Sequence, residues 1–220
     1  MTALFDYPKS AAFGRVVAKN KIYEHGGAST RLKQLFVDQV DRIIWRYKLA
    51  PETINLPEAK SVREIQVFEI ETRTPEIDED VLAAIDKAIA FPIIFEVVHG
   101  SKRKVIAALK RPSEADSAKW VVSEYFASDW EAGDNPRNPL PPALNMGALY
   151  DKLLIALIPG SGSNDEPIQM RIERAEAIRA KTREVDRIKA RLNREKQFNK
   201  RVAINAELRD ALRQLSDLES

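Results

Sequence analysis

No cysteine occurs among the 220 residues. Its absence excludes disulfides, thiolate nucleophiles, zinc knuckles and cysteine-ligated clusters together. Histidine is almost as scarce. His25 and His99 lie far apart in the sequence and each flanks a glycine, so a two-histidine zinc helix and a three-histidine site are both excluded. Each histidine reads as a turn residue. No apolar run approaches the roughly 20 residues that cross a bilayer, and Met1 to Ser10 lacks the basic-then-apolar order of a cleaved leader. The expectation is a cytoplasmic protein without a membrane partner. Glycine numbers only eight. Gly160-Ser161-Gly162 is not followed by Lys-Ser or Lys-Thr, so a phosphate-cradling loop is absent, as are a dinucleotide fingerprint and a nucleophile elbow. No cofactor and no resident metal are expected.

What is present belongs to an ordinary globular chain: 44% hydrophobic and 31% charged residues, in a length that closes a core as one domain with an appendage or as two small domains. The net charge of +2 hides a segregation. Lys9 to Lys48 holds nine basic and three acidic residues, Glu52 to Val98 four basic and eleven acidic, and Arg171 to Arg201 twelve basic and five acidic. Basic blocks flanking an acidic middle suit phosphate contacts, or pairing of basic helices with acidic strands.

Periodicity yields an α+β order, ααβαβββα, with a small mixed or antiparallel sheet and flanking helices. A short helix is expected over Ser10 to Ala18 with Phe13, Val16 and Val17 inward. The Gly26-Gly27 pair then breaks the chain. A longer helix follows, capped by Ser29 or Thr30, in which Leu32, Leu35, Phe36, Val40, Ile43, Ile44 and Tyr47 recur at three and four before Pro51 stops it. Val62 to Arg73 alternates two faces and reads as a strand. Glu76 to Asp80 opens a helix with Val81, Leu82, Ile85 and Ile89 buried, and Ile93 to Val98 is apolar on both faces, as a central strand is. His99-Gly100-Ser101 turns into a hairpin partner, Val105 to Leu109; after a polar loop, Pro112 to Ser117, Trp120 to Ala127 adds another strand. Asp134 to Pro142, with four prolines, reads as a rigid connector with little to pack. Asn145 caps a helix running to Ile158.

Pro159 to Asp165 is small, polar and flexible in composition. It divides an α+β domain at 1–158 from a linker at 159–167 and a basic helical arm at 168–220. The arm contains no glycine and no proline. Ile168, Ile172, Ala175, Ile178, Thr182, Val185, Ile188 and Leu192 form a coiled-coil-like seam. A second stripe, Phe198, Val202, Asn205, Leu208, Leu212 and Leu215, starts six residues after Leu192, out of phase for one straight helix. A reversal between Asn193 and Asn199 reunites the stripes as an antiparallel hairpin; one long helix that changes partner is the alternative.

Two sets of residues offer chemistry. Glu69, Glu71 and Glu96 are the carboxylates that a divalent-metal nuclease needs on adjacent strands, although the second position after Glu69 holds an acid where such strands carry lysine. The competing reading is edge carboxylates paired with Arg63 or Arg73 across the sheet. On the arm, Arg171, Arg174, Arg179, Lys181, Arg183, Arg187, Lys189, Arg191 and Arg194 flank the seam on its wet sides and suit a phosphate backbone, or a solvated rod. Trp45, Tyr47, Trp120, Tyr125, Phe126 and Trp130 sit mostly at core spacings, with Trp130 the best candidate for exposure.

Five separated blocks, FVDQVDRIIWRYKLAPETINL (36–56), VREIQVFEIETR (62–73), AIDKAIAFPIIFEV (84–97), KWVVSEYFASDW (119–130) and EKQFNKRVAINAELR (195–209), together resemble the bacterial and archaeal family called domain of unknown function 4391. The resemblance brings no catalytic residues to carry over. It implies company beside helicase and DNA methyltransferase genes of restriction-like defence clusters. The expectation is a non-catalytic adaptor of a DNA-processing or antiphage defence system. The arm would bind a helicase or methyltransferase partner, nucleic acid, or a second copy of the chain. A metal-dependent nuclease is the alternative.

Overall fold

The computed structural model describes residues 2–26, 28–113, 120–159 and 166–219. The chain divides into two compact units, Met1–Leu157 and Ile158–Ser220. The Gly26-Gly27 break, most of the Pro112 to Ser117 loop and most of the Pro159 to Asp165 linker lie at or beyond the limits of the described residues.

The first unit is α+β. Its strands are Phe5–Asp6 (β1), Ala12–Val16 (β2), Val40–Leu49 (β3), Ile65–Thr72 (β4), Ile93–His99 (β5), Lys102–Ala107 (β6), Lys110–Pro112 (β7), Trp120–Val122 (β8), Phe126–Ala127 (β9), Glu131–Ala132 (β10) and Asn138–Pro139 (β11). Its helices are Lys19–Gly26 (α1), Thr30–Gln39 (α2), Pro51–Ile54 (α3), Glu79–Ala88 (α4) and Met146–Ile155 (α5). The main sheet runs β10-β6-β5-β4-β3-β2, with β9 also on β6. Only β4 and β5 within it are parallel, because α4 carries the chain back across the sheet between them. Asp78 caps α4 by accepting a hydrogen bond from the Asp80 amide at 2.9 Å, and Val81, Leu82 and Ile85 are buried as expected, while Ile89, expected in the same stripe, follows the helix and is half-buried.

Both faces of β4 and β5 are covered. Phe68, Ile70, Phe95 and Val97 join Phe36, Ile43, Val81 and Ile85 in one core. On the opposite face Ile65, Val67, Ile94 and Val105 are buried as well, together with Glu69 and Glu96.

Two helix expectations fail for one reason: a run of three-and-four spacings does not fix a helix when β-branched and aromatic residues can pair as a strand. The helix expected from Ser29 to Tyr47 stops at Gln39. Ser29 does cap α2, accepting from the Leu32 amide at 3.2 Å, but Val40, Ile43, Ile44, Trp45 and Tyr47 belong to β3. The helix expected over Ser10 to Ala18 is a single 3-10 turn, Lys9–Ala11, followed by β2 at the sheet edge. Gly14, at φ 67°, supplies a left-handed kink there that a helix would not tolerate, and Val16 is 66% exposed. Trp120 to Ala127 is split, β8 pairing with β7 and β9 with β6.

The connector Asp134 to Pro142 is not an empty spacer either. Asn138 and Pro139 pair in parallel with β1, and Arg137 enters the interior. Asn145 caps α5, accepting from the Ala148 amide at 2.9 Å, and the helix ends at Ile155, three residues before the expected end.

The second unit is an antiparallel pair of helices, Ile168–Arg194 (α6) and Phe198–Glu219 (α7). Lys181 Nζ donates to Gln214 Oε1 at 2.8 Å, and Arg191 Nη1 to Glu207 Oε1 at 2.9 Å. The reversal needs no glycine. The Glu195 carboxylate accepts from the amides of Lys196 and Gln197 at 2.9 and 2.8 Å, closing the turn and holding its own carboxyl below the ordinary value. Val185, Ile188 and Leu192 form the seam on α6 as expected, whereas Thr182, expected there too, is exposed. On α7 the phase differs. Ile204, Leu208, Ala211 and Leu215 face the partner helix, and Phe198, Val202, Asn205 and Leu212, expected in the seam, are exposed. Small Ala211 is buried in the seam.

Candidate functional site

The parallel register of β4 and β5 places Glu69 directly beside Glu96. Two carboxylates at this spacing, both nearly without solvent, repel unless cations neutralise them. Three arginines do so. Arg46 reaches Glu69 from β3, where a register shift between Trp45 and Tyr47 interrupts the pairing with β4; its Nη2 donates to Oε1 at 2.7 Å. Arg103 comes from β6, and its Nη1 donates to Glu69 Oε2 and to Glu96 Oε2, each at 2.7 Å. Arg137 comes from the proline-rich segment. Its Nη1 and Nη2 grip Glu96 Oε1 and Oε2 at 2.8 and 2.7 Å, and Nη1 also donates to the Phe5 carbonyl at 2.7 Å. This bidentate geometry is the strong form of the ion pair.

Charge follows geometry. Burial opposes ionisation of Glu69, but hydrogen bonds from Arg46 and Arg103 outweigh it and hold the carboxyl below its ordinary range. Burial lifts the Tyr7 phenol well above its usual value, with the Glu96 charge adding to the effect. The hydrogen bond to Glu96 raises Arg137 further. A carboxylate held ionised by two guanidiniums is a poor proton donor at neutral pH. It is also a poor ligand, since a dication would have to displace Arg103 from both acids.

Of the three expected carboxylates, the structure therefore brings Glu69 and Glu96 together and leaves Glu71 apart. Glu71 accepts from Arg42 Nε and Nη2 at 3.0 and 2.9 Å, on a more exposed part of the sheet. Among the described residues no group of three or more histidines, cysteines, aspartates or glutamates is placed to hold a metal ion. Arg46, Arg103 and Arg137 did not emerge from the sequence. A strand bulge and a proline-rich connector carry two of them, and neither shows in periodicity.

On the arm, the nine basic residues divide by environment. Arg171 is buried, with Nε 3.6 Å from Glu166 Oε2, and Arg174 Nη2 lies 2.9 Å from the same oxygen. Lys181 pairs with Glu184, Lys189 with Asp186 and Arg191 with Glu207. Arg179 is half-buried and Arg183 exposed. Arg187 and Arg194 are exposed and have no ion pair among the described residues. Lys196, Lys200 and Arg201, at the closed end of the hairpin, share that condition. Phe198 stands among them, 78% exposed.

The aromatic expectation for Trp130 is reversed. Its ring is half-buried, with Lys104 Nζ 4.7 Å from the centroid and the His99 ring edge-on at 6.5 Å. Trp120 is the more exposed tryptophan.

No helix among the described residues is long and apolar enough to cross a membrane. No curated protein and no solved structure matches the chain. The model of the family described as Domain of unknown function (DUF4391) matches residues 5–215, so both the sheet with its carboxylate–guanidinium cluster and nearly all of the helical hairpin lie within the match, and the chain belongs to that family.

Proposed function

We propose that this protein is a non-catalytic adaptor of a DNA-processing or defence assembly, and that its helical hairpin engages a phosphate backbone. One observation carries the reading. The closed end of the hairpin gathers Arg194, Lys196, Lys200 and Arg201, exposed and without ion pairs among the described residues, near the exposed Phe198, and Arg187, exposed and likewise without an ion pair among them, lies about two turns back along α6. The seam residues Val185, Ile188, Ile204 and Ala211 hold the two helices to each other, so the outward guanidinium and ammonium groups are not needed for folding. Helix α6 carries nine basic and four acidic residues, whereas α7 is balanced at four of each. A cationic helix supported by a neutral one presents its charge in one direction, which suits release of counterions from a polyanion.

In this reading the carboxylate–guanidinium cluster is an ionic clamp across four strands and the N-terminal segment. The genomic company implied by the resemblance, helicases and DNA methyltransferases, supplies the setting.

The test is anisotropy of a labelled 20-base-pair DNA duplex titrated with the full chain between 50 and 200 mM salt. The variant Arg187→Gln, Arg194→Gln, Lys200→Gln, Arg201→Gln should bind more weakly. Its salt slope should flatten by roughly 3 to 4 units, at about 0.9 per lost phosphate contact. Equal affinity and equal slope in the two proteins, or no binding by the wild type at the lowest salt, removes the proposal. In the latter case a protein partner or a second copy becomes the occupant of the arm.

A further inference from the structure

A cleft of about 510 Å³ opens on the helical side of the sheet, between the edge strand β2 with the start of α1 and the segment Ala88 to Phe91. Its volume lies within the roughly 300–1,000 Å³ of small-molecule sites. The aromatic part of its lining is built from the sheet outward. Trp45 stacks on Phe68 with ring centroids 6.0 Å apart and planes 13° apart, and Phe13 packs against Trp45 at 4.1 Å. The indole is fixed because its Nε1 donates to the Tyr47 carbonyl at 2.9 Å. Ile22, Ile89 and Phe91 extend the apolar lining.

The polar groups are few and of one sign. Arg15 places its guanidinium 4.6 Å from the Phe13 centroid, and Lys21 comes from α1. Neither has an ion pair among the described residues, and no aspartate or glutamate lines the cleft. Gln66 is the one amide in the lining. Its nitrogen donates to Glu64 Oε1, which leaves the carbonyl oxygen as an acceptor. The chain carries an acidic stretch through this same region of sequence, Glu52 to Val98, yet the cleft collects only cations.

We infer that this cleft binds a planar aromatic molecule bearing one anionic group, the ring lying against Trp45 and Phe13 and the anion facing Arg15 and Lys21. Ring-on-ring contact supplies the apolar attraction. Arg15 and Lys21 are exposed, and two cations without ion pairs among the described residues at the rim favour the charged ligand over its neutral counterpart.

The probes are 2-naphthoate and its neutral counterpart 2-naphthalenemethanol, titrated into the full-length protein labelled with ¹⁵N. The readout is the indole N–H resonance of Trp45, identified by its loss in Trp45→Phe. The naphthoate should shift that resonance saturably and bind roughly fivefold to tenfold more tightly than the alcohol, the range expected for one or two rim ion pairs. The double variant Arg15→Gln, Lys21→Gln should erase the preference while leaving the alcohol's affinity in place. Val16→Glu, an exposed change at the cleft, should weaken the preference without disturbing the fold. The inference is overturned if neither probe moves the Trp45 resonance at millimolar concentration. Equal affinities for the two probes, or a preference that survives the double variant, overturn it equally.

Discussion

Glu96 is the residue on which the sheet's polar interior turns. Its side chain is 2% exposed and accepts from two different arginines. Removing one cation leaves a buried carboxylate short of its charge partner, which costs about 3–5 kcal/mol in comparable settings. Arg137→Ala should therefore lower the unfolding free energy by roughly 3 kcal/mol in urea denaturation. Arg42→Ala, which releases the more exposed Glu71, should change it by less than about 1 kcal/mol. Similar losses in the two variants would show that the Glu96 clamp is not special. Glu69 adds a pH dependence. Its folded carboxyl titrates below its ordinary 4.5, so its contribution is complete above that value and disappears as pH falls through the lower folded value. The urea midpoint of the wild type should drop between pH 5 and 3 more steeply than that of Glu69→Gln. Parallel curves would place the acid sensitivity elsewhere.

At the scale of elements, helix ends are held by lysines that the chain recruits from far away. Lys19 Nζ donates to the carbonyls of Phe36 and Val40 at 3.2 and 2.5 Å, at the end of α2. Lys110 donates to the carbonyls of Asp86 and Ile89 at the end of α4. Cations suit these ends because unsatisfied carbonyls gather there. Burial lowers the Lys110 ammonium despite the nearby Asp86, and the same burial raises Asp86 despite hydrogen bonds from Tyr125 and Lys110. This pair is thus a capping device under strain from desolvation. The edge strand has its own requirement. Gly14, at φ 67°, has no atom within 4 Å of where a Cβ would stand, so Gly14→Ala isolates backbone strain and should cost roughly 1–2 kcal/mol. A neutral result in chemical denaturation would mean that the strand relaxes. In the hairpin, the phase of α7 separates two substitutions. Ile204→Ala should cost about 2 kcal/mol and Leu212→Ser less than about 0.5; the reverse order would restore the stripe that spacing alone suggests.

For the molecule as a whole, the arrangement is a division of labour between a unit stabilised by a two-faced sheet and a unit stabilised by a single seam. The order of elements was partly legible. Strands β4, β5 and β6 and helices α4 and α5 follow from alternation, apolar runs and caps, and the hairpin was one of two outcomes that the phase slip of the stripes left open. Strand β3 was hidden, because Val40 to Tyr47 satisfies helical and extended spacing alike, and its partner β4 lies many residues later. Of the candidate site, the acids were visible and their partners were not. Glu69 and Glu96 stood out as isolated charges within apolar strands, whereas Arg46, Arg103 and Arg137 look in sequence like any surface arginine.

Composition and spacing by themselves determined the unavailability of cysteine chemistry, the α+β class, the capped helices and the concentration of positive charge near the C-terminus. These are local properties, set by residue type and by neighbours three or four positions away. Tertiary structure alone decided that two glutamates on different strands share one arginine, that a proline-rich connector delivers a second, and that an edge strand frames an aromatic cleft. Such arrangements depend on register and on contacts between distant segments, and a parallel pairing closed by a crossover helix leaves no imprint on the spacing of either strand.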